Sequence, residues 1–325
     1  MALWREAESS SPGLIARLEA LAQAEQVPAT VSEALSDDPA YGTTAKLLLR
    51  LRDGREVEAV GIPMTGDAHR TCCVSSQVGC KQGCAFCRTA RMGLVRDLAA
   101  HEIVGQVLAV NRADGREVRN VVFMGMGEPL DNAEAVAQAA RVLNDVHGLS
   151  LAWDHITVST VGRLASLARW EDLGLAKANL AVSLHSADPG VRAALVPAAR
   201  IEDLGELRAA LGRIRLPRDR RIMLAVVVIP GVTDHPGQID ALVHWIGDLP
   251  ALVNLIPFNP FPGVDWRAPT DAEMRAMCDA VYARGIAVRT RTTKGRDALA
   301  ACGQLATARG KPLPPAKPPD NIPPP

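Results

Sequence analysis

The stretch Cys80-Lys-Gln-Gly-Cys84-Ala-Phe-Cys87 places three thiols within eight residues and decides how the rest of the chain is interpreted. Gly79 and Gly83 free the backbone beside the first two cysteines. Three thiolates at this spacing can fold around one soft metal centre. The stretch therefore predicts a metal or redox site.

Three interpretations of the cysteine stretch compete. Structural zinc usually takes four ligands, often as two separated cysteine pairs, and the sequence has no second Cys-x-x-Cys and no nearby histidine pair. The segment Cys84–Cys87 alone could be a thioredoxin-like redox pair, which would leave Cys80 unused. A 4Fe-4S cluster held by three cysteines leaves one iron open for chemistry. The spacing and the predicted fold together favour the cluster.

From about residue 70 the chain alternates between β and α patterns. Short β-branched runs are typical of strands, and helical periodicity such as Ile103/Val107/Val110 lies between them. This alternation implies parallel strands with right-handed crossovers. About six units predict an α/β fold, an incomplete (βα)6 barrel, because a complete eight-unit barrel typically needs about 250 residues. The predicted strands are Cys72–Ser76, Asn120–Met124, Ile156–Thr160, Asn179–Leu184, Ile222–Ile229, Leu252–Pro257 and Ile286–Arg291.

Two segments flank the predicted barrel. The first 40 residues carry seven acidic and two basic side chains, and apolar residues between 14 and 22 recur at helical spacing. Lys46–Arg52 and Val57–Ile62, joined through Asp53-Gly54, predict a β-hairpin. Eight of the last fifteen residues are proline, which predicts an extended tail. The predicted units are an N-terminal segment with hairpin (1–66), a core (67–305) and a Pro-rich tail (306–325).

The composition excludes several classes of protein. With 48% hydrophobic and 22% charged residues, the chain is not disordered. No apolar run approaches the roughly 18 residues of a membrane span, and the N-terminus does not have the pattern of a signal peptide. We therefore expect a cytoplasmic protein without a membrane partner. We also expect it to be a monomer. The 36 basic and 36 acidic residues cancel. Basic side chains nevertheless concentrate in Arg213–Arg221 and Arg284–Lys311, which favours RNA as a partner.

The spacing Cys-x3-Cys-x2-Cys, with Phe86 directly before the last cysteine, resembles the radical S-adenosylmethionine (SAM) superfamily. In that superfamily three cysteines hold a 4Fe-4S cluster, and the amino and carboxylate groups of SAM chelate the open iron. The resemblance implies that Cys80, Cys84 and Cys87 are the cluster ligands and that SAM is bound beside them.

Candidate SAM contacts lie where predicted strands end, at the mouth of the barrel. Gly127 lets the backbone approach a ligand and Glu128 offers a carboxylate to the SAM ammonium, although a simple strand-to-helix turn could use the same residues. Asn259 follows the sixth strand between Phe258 and Phe261, whose rings suit either an adenine wall or core packing. Hydroxyl, backbone and imidazole candidates end two other strands: Ser159, Ser183, Leu184 and His185.

Four motifs bring the resemblance to one family: Cys73-Val-Ser-Ser-Gln-Val-Gly-Cys80, Gly125-Met-Gly-Glu-Pro-Leu130, Asn254-Leu-Ile-Pro-Phe-Asn-Pro-Phe-Pro-Gly263 and Ala301-Cys-Gly-Gln-Leu305. In order from about residue 42 to 305, the chain resembles the radical-SAM adenosine-carbon-2 RNA methyltransferases. These are dual-specificity ribosomal and transfer RNA enzymes, kin to carbon-8 methylases that confer antibiotic resistance. The resemblance implies RNA as substrate and an electron donor such as a flavodoxin-type protein.

The family's activity implies roles for two further cysteines. One SAM methylates Cys302, and a second SAM is cleaved reductively at the cluster, so that two are used per turnover. The adenosyl radical takes hydrogen from the methyl group, and the carbon radical adds to carbon 2 of the adenine. Cys73 then attacks the sulfur, forming a Cys73–Cys302 disulfide and releasing the methylated base. Glu58 matches the proposed proton acceptor, although a lone hairpin glutamate is otherwise typical of solvated surface.

The sequence also departs from the family pattern. The accessory domain that precedes the hairpin in most relatives is mostly absent, and Ala225 stands where the family typically has a glutamate. The residues needed for the chemistry are complete, whereas the elements expected to contact RNA have changed. We therefore expect a methyltransferase with an altered RNA substrate. Two alternatives stay open: a radical-SAM enzyme acting on a small molecule or peptide, and a non-catalytic zinc-stabilised nucleic-acid-binding module.

Overall fold

A computed structural model of the chain describes residues 28–64, 68–198 and 203–307. The predicted N-terminal helix and the Pro-rich tail from residue 308 onward lie outside these residues. In the described part, ten strands form one sheet and two short strands form another. No helix in these three ranges has the length and apolar character needed to cross a membrane.

The N-terminal part of the large sheet is antiparallel. Strand β1 (Ala29–Asp38) pairs with β2 (Gly42–Arg50), β2 pairs with β3 (Glu56–Pro63), and β3 pairs with β4 (His69–Cys73). Strands β2 and β3 are the predicted hairpin, and its turn holds Gly54 at φ 79°. The sequence did not reveal β1 because most of its side chains are exposed, so it lacks the apolar alternation of a half-buried strand.

The rest of the large sheet is parallel and confirms the α/β fold of six strand–helix units followed by a last strand. Side by side after β4 lie β7 (Glu117–Phe123), β8 (Ile156–Thr160), β9 (Asn179–Ser183), β10 (Ile222–Val228), β11 (Ala251–Pro257) and β12 (Val288–Thr290). All seven predicted runs overlap one of these strands. The helices are α1 (Ala100–Asp114), α2 (Ala133–Asn144), α3 (Leu164–Ala168), α4 (Pro189–Leu195), α5 (Leu204–Arg213), α6 (Pro236–Ile246) and α7 (Asp271–Tyr282).

The second sheet presents the cysteine stretch. Strand β5 (Gln77–Cys80) pairs with β6 (Gly93–Asp97) in antiparallel register, and Cys80 is the last residue of β5. Gly79 adopts φ 79°, and a Cβ there would lie 1.8 Å from the carbonyl oxygen of Gly93. Only glycine therefore permits the close approach of these two strands immediately before the first cysteine.

A buried ion pair joins β2 to β3 and reaches the C-terminal end of the described chain. The Lys46 Nζ atom lies 3.1 Å from Glu58 Oε1, and Glu58 is 5% exposed, so its interpretation as solvated surface is wrong. Lys46 also donates to the carbonyl of Leu299 (3.4 Å), and the Ala306 N–H donates to Glu58 Oε2 (2.9 Å). The pair thus holds both ends of the segment 299–306.

We predict that Lys46→Met lowers the free energy of unfolding by about 3 kcal/mol, because it leaves the buried Glu58 carboxylate without its counter-charge. The double variant Lys46→Met/Glu58→Gln removes both charges while the glutamine can still accept from Ala306, and should recover most of the loss. Urea unfolding followed by circular dichroism measures both values. Equal stability of Lys46→Met and the unmodified protein would contradict the prediction.

Candidate active site

The inner face of the parallel strands bounds a cavity of about 930 Å³. Its wall brings together eleven of the residues that the sequence predicted for the site. These residues are Cys73, Cys80, Cys84, Cys87, Gly127, Glu128, Ser159, Ser183, His185, Asn259 and Cys302. Glu58 and Leu184 are not part of the wall.

Cys80, Cys84 and Cys87 share one part of this wall, and all are free thiols. Burial raises the pKa of each, that of Cys80 to about 12, and the neighbouring thiols add to the increase. The loop that carries them is held by backbone hydrogen bonds, including Ala85 N–H to the Leu195 carbonyl (2.9 Å). The three sulfur atoms are therefore close neighbours in a water-poor environment.

Asp131 ties this loop to two other strand ends. Its carboxylate accepts from Gln82 Nε2 (2.6 Å) and Arg163 Nε (2.8 Å) and lies 3.3 Å from Lys81 Nζ. Gln82 and Lys81 stand between the first two cysteines, while Arg163 follows β8. One buried acidic group thus sets the position of the thiol loop relative to the barrel.

The donor set fits a 4Fe-4S cluster better than structural zinc. In residues 28–64, 68–198 and 203–307, no three His, Cys, Asp or Glu side chains are arranged around a single metal ion. Structural zinc needs four ligands converging on one ion. In an iron–sulfur cluster each cysteine binds a different iron, so three neighbouring thiols suffice and need not converge on one point.

Glu128 is buried where β7 leads into the next helix. Its Oε1 accepts from the Leu130 N–H (3.0 Å) and its Oε2 from the Val161 N–H (2.9 Å). Burial raises the pKa of Glu128 to about 7 despite these hydrogen bonds. Each carboxylate oxygen has a second lone pair, so the group can still receive a cation from the cavity.

Gly127 lines the cavity, and its position has no room for a side chain. It adopts φ 104°, and a Cβ there would lie 2.7 Å from the side chains of Ser76 and Gln77. Gln77 in turn accepts from the Glu128 N–H (2.9 Å). A larger residue at 127 would therefore displace the segment that orients Glu128.

The ends of β8 and β9 bring polar groups together on the wall. The hydroxyl oxygens of Ser159 and Ser183 lie 3.5 Å apart. His185, at φ 61°, accepts the Val227 N–H at Nδ1 (3.2 Å) and packs edge-on against Phe86, with ring centroids 4.4 Å apart. Burial lowers the pKa of His185 to about 3, so the imidazole is neutral at physiological pH.

Arg192 is a supporting residue that sequence reasoning missed. It is 3% exposed, and its guanidinium donates to the carbonyls of Ser183 (3.0 Å), Leu184 and Val161 (2.5 Å). These bonds join the ends of β8 and β9, and Leu184 contributes only backbone atoms. The sequence feature that could have indicated it is a single arginine within the apolar run 191–196.

The segment that carries Cys302 contains no helix or strand and is held by hydrogen bonds from remote parts of the chain. Asn259 Nδ2 donates to the Cys302 carbonyl (3.2 Å), and the Arg88 N–H donates to the Gly303 carbonyl (2.7 Å). Thr89 Oγ1 donates to the Leu305 carbonyl (2.6 Å). The thiol loop and the Cys302 segment are therefore directly connected.

Cys73 and Cys302 face the same cavity from opposite ends of the chain. Burial and the proximity of Cys302 together raise the pKa of Cys73 to about 12, although the nearby Arg291 acts to lower it. Both are free thiols. Phe258 and Phe261 both pack in an apolar cluster with Trp266, and Phe258 also lines the cavity.

Comparison with known proteins identifies the family. Residues 74–243 match the radical SAM superfamily. The probable dual-specificity RNA methyltransferase RlmN of Deinococcus deserti is 41% identical over 82% of this chain and 78% of its own length, and the dual-specificity RNA methyltransferase RlmN of Syntrophobacter fumaroxidans is 42% identical over 85% and 80%.

A solved structure agrees with these relatives. The crystal structure of a radical SAM methyltransferase from Sphaerobacter thermophilus aligns with a TM-score of 0.81 and 37% identity, covering 91% of this chain and 86% of that protein. The residues matched by the superfamily include the thiol loop, and the alignment with the solved structure covers most of the chain. The chain therefore belongs to the radical SAM superfamily and, within it, to the family of the dual-specificity RNA methyltransferases.

Proposed function

We propose that this protein methylates an adenosine of ribosomal or transfer RNA at carbon 2, with Cys302 as methyl carrier and Cys73 as the thiol that releases the product. The observation that carries the proposal is that both thiols lie in the wall of the same cavity as Cys80, Cys84 and Cys87. Neither a redox pair nor a structural zinc site accounts for five thiols around one cavity.

When bound, the 4Fe-4S cluster and SAM supply the reducing electron and the adenosyl radical of this reaction class. Cys80, Cys84 and Cys87 would hold the cluster. The hydroxyls of Ser159 and Ser183, the Asn259 amide, the imidazole of His185 and the backbone at Gly127 and Leu184 would orient SAM, and Glu128 would receive its ammonium. A carboxylate whose pKa burial has raised gains most from an incoming positive charge.

Covalent attachment solves a chemical difficulty of this substrate. The carbon-2 position of adenine is neither acidic nor nucleophilic, so polar methyl transfer from SAM cannot reach it. A carbon on the Cys302 sulfur can bond to the ring first. The Cys73 thiolate then attacks that sulfur. The S–S bond forms, the S–C bond breaks with its electron pair going to the carbon attached to the base, and that carbon takes up a proton to become the methyl group.

The acid–base group of the reaction needs a separate test. The resemblance assigns proton acceptance to Glu58, whose pKa is raised by burial and lowered again by Lys46. Its carboxylate lies outside the cavity wall and is engaged by Lys46 and Ala306. The proton-accepting role stays a prediction.

We further propose a flavodoxin-type electron donor, a monomeric enzyme and a cytoplasmic location, where these RNAs are made and used.

For the two-cysteine chemistry, we predict that Cys302→Ala abolishes RNA methylation because no sulfur remains to carry the methyl group. Cys73→Ala should still form methyl-Cys302 but accumulate a covalent protein–RNA adduct that nothing releases. Mass spectrometry of the RNA nucleosides and a denaturing gel measure the two outcomes. Cys278→Ala is the matched control, since Cys278 lies on α7 outside the cavity wall. Normal methylation by Cys302→Ala would overturn the mechanism.

For the metal site, we predict that the protein reconstituted without oxygen binds iron and sulfide, shows the visible absorbance of a cluster and cleaves SAM when reduced. Cys84→Ser should lose all three properties, because the cluster loses one of its three protein ligands. Cys278→Ser should retain them. Zinc without iron in the purified protein, with no visible absorbance after reconstitution, would support the zinc alternative instead.

A further inference from the structure

Two basic segments that are far apart in the sequence meet at the cavity. Arg220 and Arg221 directly precede β10, Arg289 lies in β12 and Arg291 follows it, and all four belong to the cavity wall. The roles proposed above for thiols and SAM contacts use none of them. These four positive charges line a site proposed for RNA, which is a polyanion, and their role there has not yet been assigned.

Of these four arginines, Arg289 and Arg291 lie close together, in and directly after β12. They are two residues apart, so their side chains leave the same face of the chain. Arg289 Nε donates to Asn254 Oδ1 (3.2 Å) and its Nη2 lies 3.3 Å from Met223 Sδ, while Arg291 Nη1 lies 3.5 Å from Met124 Sδ. Within the described residues, neither guanidinium forms an ion pair with a carboxylate.

Several other arginines of the fold are paired with carboxylates. Arg163 pairs with Asp131 (2.8 Å), Arg96 with Glu102 (2.8 Å) and Arg284 with Asp240 (2.8 Å). The strand neighbours of Arg289 carry no charge. In the register across the sheet, Ala225 lies beside Asn254 and Asn254 beside Arg289, so this row holds no carboxylate.

The two positive charges disfavour one another in the absence of an anion. Partial burial lowers the pKa of Arg289 and the nearby Arg291 lowers it further, although a guanidinium remains protonated at physiological pH. An anion placed between them would relieve this repulsion and accept charge-assisted hydrogen bonds. The planar, forked donors of two guanidiniums match the oxygen atoms of a phosphate.

We propose that Arg289 and Arg291 bind a backbone phosphate of the RNA strand next to the adenosine that is methylated. This inference rests on the proposed function and extends it to the mode of substrate binding. Arg291 is close enough to Cys73 to influence that thiol. A phosphate held here would bring the adjoining base to the part of the cavity where Cys73 and Cys302 meet.

The test uses the full chain with its cluster reconstituted and an unmodified transfer RNA transcribed in vitro. RNA affinity is measured by fluorescence anisotropy over a series of salt concentrations. We expect Arg289→Gln and Arg291→Gln each to weaken binding about tenfold, as for a lost hydrogen bond to a charged group. The slope of log affinity against log salt should fall by about 0.7 for each lost phosphate contact to a single strand.

Two further variants separate charge from fold. Arg289→Lys keeps the positive charge and should retain the salt slope of the unmodified protein. Arg284→Gln is the matched control on the same basic segment, because its guanidinium is paired with Asp240 outside the cavity wall. It should bind RNA with unchanged affinity.

Unchanged affinity and slope in both glutamine variants would overturn the proposal. So would a loss of SAM affinity with RNA affinity intact, since the pair would then serve the SAM carboxylate. Failure of the proposed function gives a different result: the unmodified protein would itself neither bind nor methylate RNA. That outcome would contradict the proposed function and the arginine proposal together. If the unmodified protein binds and methylates RNA, the RNA affinities of the variants test the arginine pair alone.

Discussion

The buried ion pair between Lys46 and Glu58 is the interaction on which the geometry of this site depends most. The segment around Cys302 has no helix or strand to satisfy its own backbone, and buried backbone groups must find partners. Lys46 donates a hydrogen bond to the Leu299 carbonyl, and Glu58 accepts one from the Ala306 N–H. The two charged side chains therefore hold both ends of the segment. The N-terminal hairpin is thereby part of the site.

Desolvation is the second general property of the cavity. Burial raises the pKa of the cluster thiols and of Glu128 and lowers that of His185, so the wall without bound groups disfavours charge of either sign at these side chains. A metal cluster and the ammonium of SAM would reverse this by supplying positive charge directly. Excluding water also protects a reactive radical from side reactions. The arginine pair then stands out as the part of the wall built for an anion.

Much of the fold was predictable because parallel strands buried on both faces leave apolar, β-branched runs in the sequence. All seven such runs proved to be strands, and the hairpin followed from its Asp-Gly turn. The edge strand β1 was missed because its side chains are mostly exposed. Among site residues, the motifs supplied the cysteines and the strand-end polar groups. Lys46, Asp131 and Arg192 were missed because each acts on backbone or side-chain atoms that are distant in sequence.

The sequence by itself determined three thiols at the spacing of a cluster site and a barrel to hold them, and its resemblance to one family implied two further thiols for methyl transfer. Local spacing is sufficient to predict the cluster ligands, since they lie within one short loop. Only the tertiary structure decided that position 127 has no room for a side chain and that Glu58 is bound to the Cys302 segment. It also decided that two arginines of the described residues face the cavity without an ion-pair partner there. Such properties depend on which remote groups become neighbours on folding, and no pattern along the chain records them.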